Sequence, residues 1–223
     1  MDSKAKDNVD LSSAIEILKE EVKNYDVPFI DLIKIQTNDP FKILIATILS
    51  ARTKDGTTAK AAERLFEKAT SFEELDNLTL EEIQELIYPV GFYKTKAKNI
   101  KRIPEVIQNE FNGKIPKDVD DLVKLPGVGR KTANLVSSVA FGEDAICVDT
   151  HVHKIMNRLG YVSTKSPFET EMNLREKLPK QYWRIVNNLF VAFGQNLCVP
   201  VSPYCSKCPI HKYCNRVGVE NSR

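Results

Sequence analysis

The chain has 223 residues, 42% hydrophobic and 28% charged, which is enough to bury a core as one large domain or two small ones. A formal net charge of +2 does not by itself suggest a nucleic-acid partner, and the longest apolar stretch, Ile43 to Leu49, is interrupted by Thr47 and too short to span a membrane. The segment Met1 to Asp7 carries acids and has neither the apolar core of a secretory signal nor the Arg-rich, acid-poor character of a transit peptide, so the expected location is cytoplasmic.

The chain reads as helix after helix. Leu11, Ala14, Ile15, Leu18 and Val22 recur at helical spacing. Asp39-Pro40 is an N-cap followed by proline at the first helical position, opening a helix from Phe41 to Ala51 that is apolar on most faces and belongs deep in a core. Asp55 is expected to cap a helix running to about Ala69. Thr79 with Glu82 makes a capping box ahead of Ile83, Leu86 and Ile87. A further helix runs from about Lys94 to a C-cap at Asn112-Gly113. Asp118 caps a short helix through Val123, Thr132 to Phe141 is helical and closes at Gly142, and another helix covers His151 to Leu159. Ser166-Pro167 starts one more, and Gln181 to Phe193 completes the set. No alternating strand pattern bounded by hairpin turns is found, so the fold class is all-α.

Charge is patterned locally. Lys94, Lys96, Lys98, Lys101 and Arg102 crowd one stretch, Arg130 and Lys131 are adjacent, and Lys207, Lys212 and Arg216 mark the tail. Such runs are either solvated helix faces or phosphate-binding patches.

The most informative run is Leu125-Pro126-Gly127-Val128-Gly129-Arg130-Lys131-Thr132-Ala133. Two helices are joined here by a turn with glycines two apart, which permits unusual dihedrals and a close backbone approach. The second helix then offers its first-turn N–H groups to a DNA phosphate, a contact that fixes register without reading sequence. Lys131 falls in that first turn beside Arg130, and both the helix dipole and the neighbouring cation disfavour its ammonium form, as a nucleophilic amine requires. A plain phosphate contact is the other reading of Lys131. In Val148-Asp149-Thr150-His151-Val152, Asp149 or Thr150 could simply be the N-cap of the next helix.

Four of the five cysteines form Cys198-x6-Cys205-x2-Cys208-x5-Cys214, with prolines at 200, 203 and 209. Clustered cysteines in an intracellular chain read as a metal site, and four thiolates suit zinc or a cubane iron–sulfur cluster. Only one short Cys-x2-Cys pair is present, where a zinc ribbon would normally offer two. Cys147 lies outside the pattern in an apolar segment and is expected to be buried and inert.

Taken in order, the hairpin run, the Val-Asp-Thr-His run and the cysteine tail closely resemble the endonuclease III family of helix-hairpin-helix DNA glycosylases, over about Asp39 to Cys214. The resemblance implies a bifunctional DNA glycosylase and abasic-site lyase of base excision repair that removes oxidised pyrimidines. Lys131 would be the nucleophile, forming a Schiff base and breaking the strand by β-elimination, and Asp149 the second catalytic residue. It further implies a [4Fe-4S] cluster on Cys198, Cys205, Cys208 and Cys214. Gly127, Gly129 and Arg130 would hold DNA, Arg52 would fill the hole left by a flipped base where many bacterial relatives carry glutamine, and Phe92 would wedge between bases. Core packing is the alternative for Phe92 and Tyr93, and His151 is read as helix-start structure.

The implied layout is a six-helix barrel domain over residues 33–143 and a cluster domain of 1–32 plus 144–223, with a DNA-binding cleft between them. The partner would be double-stranded DNA containing damaged bases or abasic sites, met by a monomer at the nucleoid. Two rivals are a monofunctional mismatch (T/G or U/G) glycosylase and a non-catalytic helix-hairpin-helix DNA-binding protein. The first usually lacks the hairpin lysine and carries a glutamate in the first core helix, where this chain has Ile45-Ala46-Thr47-Ile48. The second leaves the joint presence of Lys131 and Asp149 unexplained.

Overall fold

A computed structural model describes residues 9–25 and 37–223. Among them there is no β-strand, in keeping with the all-α class read from the sequence, and no helix is long and apolar enough to cross a membrane. The chain divides into two compact units, Met1–Asp26 with Ile146–Arg223, and Val27–Ala145. The segment Met1 to Asp7 and the boundary expected at Ile33 lie outside the described residues.

In the first of these units, α1 (Leu11–Glu21) is capped by Asp10, whose carboxylate accepts from the Ser13 N–H at 3.0 Å. It turns Leu11, Ile15 and Leu18 into a core shared with α9, α10 and α11, defined below.

The unit Val27–Ala145 is built around α2 (Pro40–Ser50). Asp39 accepts from the Phe41 N–H at 2.9 Å and Pro40 opens the helix, as the sequence predicts. Phe41 and every residue from Ile43 to Leu49 are buried, because neighbours cover α2 on almost all sides. Those neighbours include α3 (Asp55–Phe66), α6 (Tyr93–Phe111) and α8 (Arg130–Phe141). Asp55 is the first helical residue of α3 rather than its cap. Lys54 occupies the cap position with no side-chain bond, and the helix ends at Phe66, short of Ala69. A carboxylate in the first turn still complements the helix dipole, which explains the acid there without a capping bond.

A short helix that the sequence reading did not anticipate, α4 (Phe72–Asn77), is capped by Ser71, which accepts from Glu74 N–H at 3.2 Å. The capping box of α5 (Leu80–Ile87) is present in full: Thr79 Oγ1 accepts from Glu82 N–H at 3.2 Å while Glu82 accepts from Thr79 N–H at 2.7 Å. α6 buries Lys96, Ala97, Ile100, Ile103 and Ile107 along one face and ends at Asn112 in the left-handed conformation. α7 (Val119–Leu122) is capped by Asp118, accepting from Asp120 N–H at 2.8 Å, and leads into the turn before α8.

The remainder of the other unit comprises α9 (Thr150–Leu159), α10 (Pro167–Lys177) and α11 (Val186–Asn196). Ser166 caps α10 by accepting from Glu169 N–H at 3.2 Å. The helix expected over Gln181 to Phe193 is instead a 3-10 turn, Lys180–Tyr182, followed by α11 from Val186. The buried Trp183 indole donates to Leu178 O at 2.8 Å, which holds the chain in the turn before α11 begins. Val152, Ile155 and Leu159 of α9 meet Val186, Phe190 and Phe193 of α11 in the core of this unit.

Candidate active site

The turn between α7 and α8 is closed by Val128 N–H donating to Leu125 O at 3.1 Å, with Leu125 and Val128 buried beneath it. Its two glycines differ. Gly127 has φ +79, and a Cβ there would fall 2.8 Å from the Asn99 side chain of α6, so glycine is demanded by the fold itself. Gly129 has φ −86, and a Cβ would meet nothing within 4 Å, so its side faces open space.

Gly129 is the N-cap of α8, and helical residues begin at Arg130, two earlier than Thr132. Lys131 is thus the second residue of the helix and is exposed. Arg130 is drawn back toward α7 by an ion pair with Asp120, 3.2 Å apart and largely solvated, which contributes little to stability.

Asp149 belongs to the other unit and is the N-cap of α9. Its Oδ1 accepts from the N–H groups of His151 at 2.9 Å and Val152 at 3.0 Å, so the capping role considered from the sequence is real. His151 packs against α11, where a Cβ on Gly194 would lie 2.5 Å from its Nδ1, in line with a structural role.

Arg52 and Phe92, far apart in sequence, stand on two adjacent turns of the unit Val27–Ala145. Arg52 follows the C-terminus of α2 with φ 54, and Phe92 is the N-cap of α6 with φ 59. The Arg52 guanidinium lies 5.7 Å from the centre of the Phe92 ring. Phe92 is 63% exposed, so the core-packing alternative fails for it; Tyr93 does pack on the core. Gly91 N–H donates to Thr53 Oγ1 at 3.1 Å, and a Cβ on Gly91 would fall 2.6 Å from Arg52 O, which fixes how closely the two turns approach.

Lys96 underlies this pair, although in sequence it stands in a basic run with Lys94 and Lys98. It is buried, with Nζ donating to Leu49 O at 2.7 Å, Ala51 O at 2.6 Å and Thr53 Oγ1 at 3.2 Å, and burial pushes its pKa down to about 8. The signal was available: Lys96 falls four residues before Ile100 and eleven before Ile107, on the apolar face of α6.

The four cysteines of the tail line one apolar cavity, together with Ile155, Phe193 and Ile210. Arg158 of α9 is buried beside them and donates to Cys198 O, Val199 O and Pro200 O, and to Cys198 Sγ at 3.3 Å. Arg216 N–H donates to Cys214 Sγ at 3.3 Å. Burial pushes the Cys208 thiol up to about 12 and raises those of Cys198 and Cys214, so an uncompensated thiolate is disfavoured in this cavity. Among the described residues, no three His, Cys, Asp or Glu side chains are gathered tightly enough to hold one metal ion. Cys147 is buried, and its carbonyl accepts from Asn187 Nδ2 at 3.1 Å.

Residues 45–180 match the HhH-GPD superfamily base excision DNA repair protein family. The chain is 44% identical to endonuclease III of Thermotoga maritima over 176 residues, covering 79% of this chain and 83% of that one. It is 42% identical to endonuclease III of Bacillus subtilis over 178 residues, 79% and 81% of the two chains. Among solved structures, a non-covalent endonuclease III–DNA complex matches with a TM-score of 0.81 and 36% identity, covering 92% of this chain and 94% of that chain. A trapped endonuclease III–DNA covalent intermediate matches with the same values. A thermostable thymine-DNA glycosylase matches with a TM-score of 0.80 at 26% identity, covering 92% and 95%. The chain belongs to the endonuclease III family, within the HhH-GPD superfamily of base excision DNA repair proteins.

Proposed function

We propose that this chain carries out the family's bifunctional DNA glycosylase and abasic-site lyase activity with Lys131 as nucleophile and Asp149 as its catalytic partner. Double-stranded DNA bearing oxidised pyrimidines or abasic sites is the substrate, and a monomer at the nucleoid is the working form. The observation that carries the reading is the position of Lys131: exposed, second in α8, directly after a phosphate-binding type of turn. A Cβ built on Gly129 would meet nothing within 4 Å, an open face that suits the approach of a DNA backbone.

In this scheme the damaged nucleotide leaves the stack, and the Lys131 amine bonds to C1′ as the bond from C1′ to the base breaks. The departing base takes up a proton. Loss of one proton from the attached nitrogen, then ring opening with O4′ taking up a proton, gives an iminium that keeps its second N–H; removal of a C2′ proton then expels the 3′ phosphate by β-elimination. Asp149 accepts a proton from the amine or steadies the cationic sugar. Capping ties down Oδ1, which limits how the carboxylate can turn.

A [4Fe-4S] cluster held by Cys198, Cys205, Cys208 and Cys214 fits the donor set. The four thiols line one cavity without closing on one point, and the cationic cluster core would compensate the thiolate charge that burial disfavours at Cys198, Cys208 and Cys214. Such a cluster would tie the tail to α9 and α11.

Borohydride trapping tests the reading. Wild-type protein should form a covalent adduct with duplex DNA containing an abasic site or oxidised pyrimidine, and Lys131→Ala should not, while still binding the duplex. Base release without any trapped adduct would move the assignment to the monofunctional class, and binding with neither would leave a DNA-holding module.

A further inference from the structure

We propose that Lys96 is a positioning residue that holds Arg52 against Phe92, so that the two side chains enter the hole left by an extruded nucleotide as one preformed unit. The inference rests on the DNA repair reading above and adds to it a residue that touches neither substrate nor the reacting atoms.

The argument starts at the end of α2. The last carbonyls of a helix lack partners within it, and the negative end of the helix dipole favours a cation. Leu49 O and Ala51 O are such carbonyls, and both accept from the Lys96 ammonium, which reaches them from the buried face of α6. A third N–H bond goes to Thr53 Oγ1, and that oxygen also accepts from Gly91 N–H. One ammonium thus joins the residues on both sides of Arg52 and, through Thr53, the residue before Phe92.

Both Arg52 and Phe92 hold left-handed backbone, which ordinary residues adopt only when their surroundings impose it. The imposed geometry brings a guanidinium over an exposed aromatic ring. A wedge assembled before binding loses less conformational freedom on insertion than two independent side chains. An exposed lysine used only for phosphate attraction would need none of these three bonds. Lys94 and Lys98, in the same basic run, are exposed and remain available for that.

Lys96→Met keeps the apolar stem and removes the ammonium. Insertion is read by the fluorescence of 2-aminopurine placed opposite the lesion, and chemistry by borohydride trapping on a duplex and on a single-stranded abasic oligonucleotide, which has no hole to fill. Lys96→Met should lose roughly ten-fold or more in duplex trapping, together with the 2-aminopurine signal, because small misplacements of positioning groups cost this much. Single-stranded trapping should stay within about two-fold of wild type, and in an Arg52→Ala, Phe92→Ala background Lys96→Met should add less than about two-fold. Lys96→Arg should restore part of the fluorescence signal.

Unchanged fluorescence and duplex trapping in Lys96→Met would overturn the proposal. So would equal losses on both substrates, or a full loss in the doubly substituted background. Should Lys96→Met fail to fold, Thr53→Val removes the shared acceptor with little change in shape and must show the same split between duplex and single strand. If wild type trapped neither substrate, the lyase reading would fall on its own, and the fluorescence arm, which needs only binding, would still decide the role of Lys96.

Discussion

The Arg52 guanidinium sits 5.7 Å from the centre of the Phe92 ring, although 40 positions separate them in sequence. Each side chain leaves a left-handed backbone, and the turns that carry them are joined by the bond from Gly91 N–H to Thr53 Oγ1. A cation over a ring at an exposed site contributes on the order of 0.5–1 kcal/mol, enough to bias two mobile side chains toward one arrangement. Contact makes their effects interdependent. Arg52→Ala and Phe92→Ala should each lower incision of lesion-bearing duplex, and the double variant should lose less than the product of the single losses. Strict multiplication of the two effects in a double-mutant cycle would show that they act separately.

Gly91→Ala offers a test of the same junction from the backbone side. The added Cβ would lie 2.6 Å from Arg52 O, a backbone atom that cannot swing aside as a side-chain tip would. The two turns must therefore separate. Melting should fall by an amount typical of overpacking, about 1–3 kcal/mol, and duplex incision should fall further than cleavage of a single-stranded abasic site. Wild-type melting and duplex activity together would mean that the turns part without consequence.

What could be read in advance was mostly local. Asp39-Pro40 opening α2 and the Thr79–Glu82 box opening α5 are bonds between residues two or three apart, so their spacing alone carries them. The hairpin turn was legible for a similar reason, since its glycines sit within a few residues of the helices they join. Asp55 misled because an acid suits both the cap and the first turn, and only the backbone distinguishes them. Lys96 looks in sequence like part of a basic run because its three acceptors lie more than 40 positions upstream. Arg158 escaped notice likewise: its partners at Cys198 to Pro200 are distant in sequence, and nothing local distinguishes a buried arginine from a solvated one. The separate demands on Gly127 and Gly129 are also tertiary, because Asn99 of α6 decides the first.

Asp149 combines a structural and a proposed chemical task, and two substitutions separate them. Asparagine is as good an N-cap as aspartate, because its side-chain oxygen can accept from the same N–H groups. Asp149→Asn should therefore melt close to wild type while losing roughly a hundred-fold or more in strand cleavage, the range expected when a general acid–base group is removed. Asp149→Ala should lose as much activity and also about 1 kcal/mol of stability, from the cap. An active Asp149→Asn would reduce Asp149 to its cap.

The lowered pKa of Lys96 has a signature in stability. Folded, the group titrates near 8, and unfolded near 10.5. Between these values the unfolded chain binds more protons than the folded one, so the Lys96 contribution to stability rises with pH across that window. Below pH 8 both states hold the proton, and the cost of burying the ammonium is present in full. Subtracting the unfolding free energy of Lys96→Met cancels most other titrations. The difference, wild type minus variant, should be flat from about pH 6 to 7 and should climb between about pH 8 and 10.5. A flat difference across the whole range would mean that Lys96 keeps an ordinary pKa.

The cysteine cavity predicts how the molecule responds to losing its metal. Burial pushes the Cys208 thiol up to about 12 and raises those of Cys198 and Cys214, so these thiols cannot stay ionised in the apolar cavity without a compensating cation. Purified protein should contain iron and acid-labile sulfide, and Cys208→Ser should lose most of both. Stripping the iron should leave the tail held on α9 and α11 by the Arg158 bonds, the Asn215 and Val217 N–H groups donating to Leu159 O and Arg158 O, and the packing of Ile210. Amide exchange in α9, α11 and residues 198–214 should then accelerate, while α2, α3 and α8, whose core contains none of these cysteines, keep their protection. Zinc in place of iron, or uniform loss of protection through α2, would contradict this account of what the four cysteines hold.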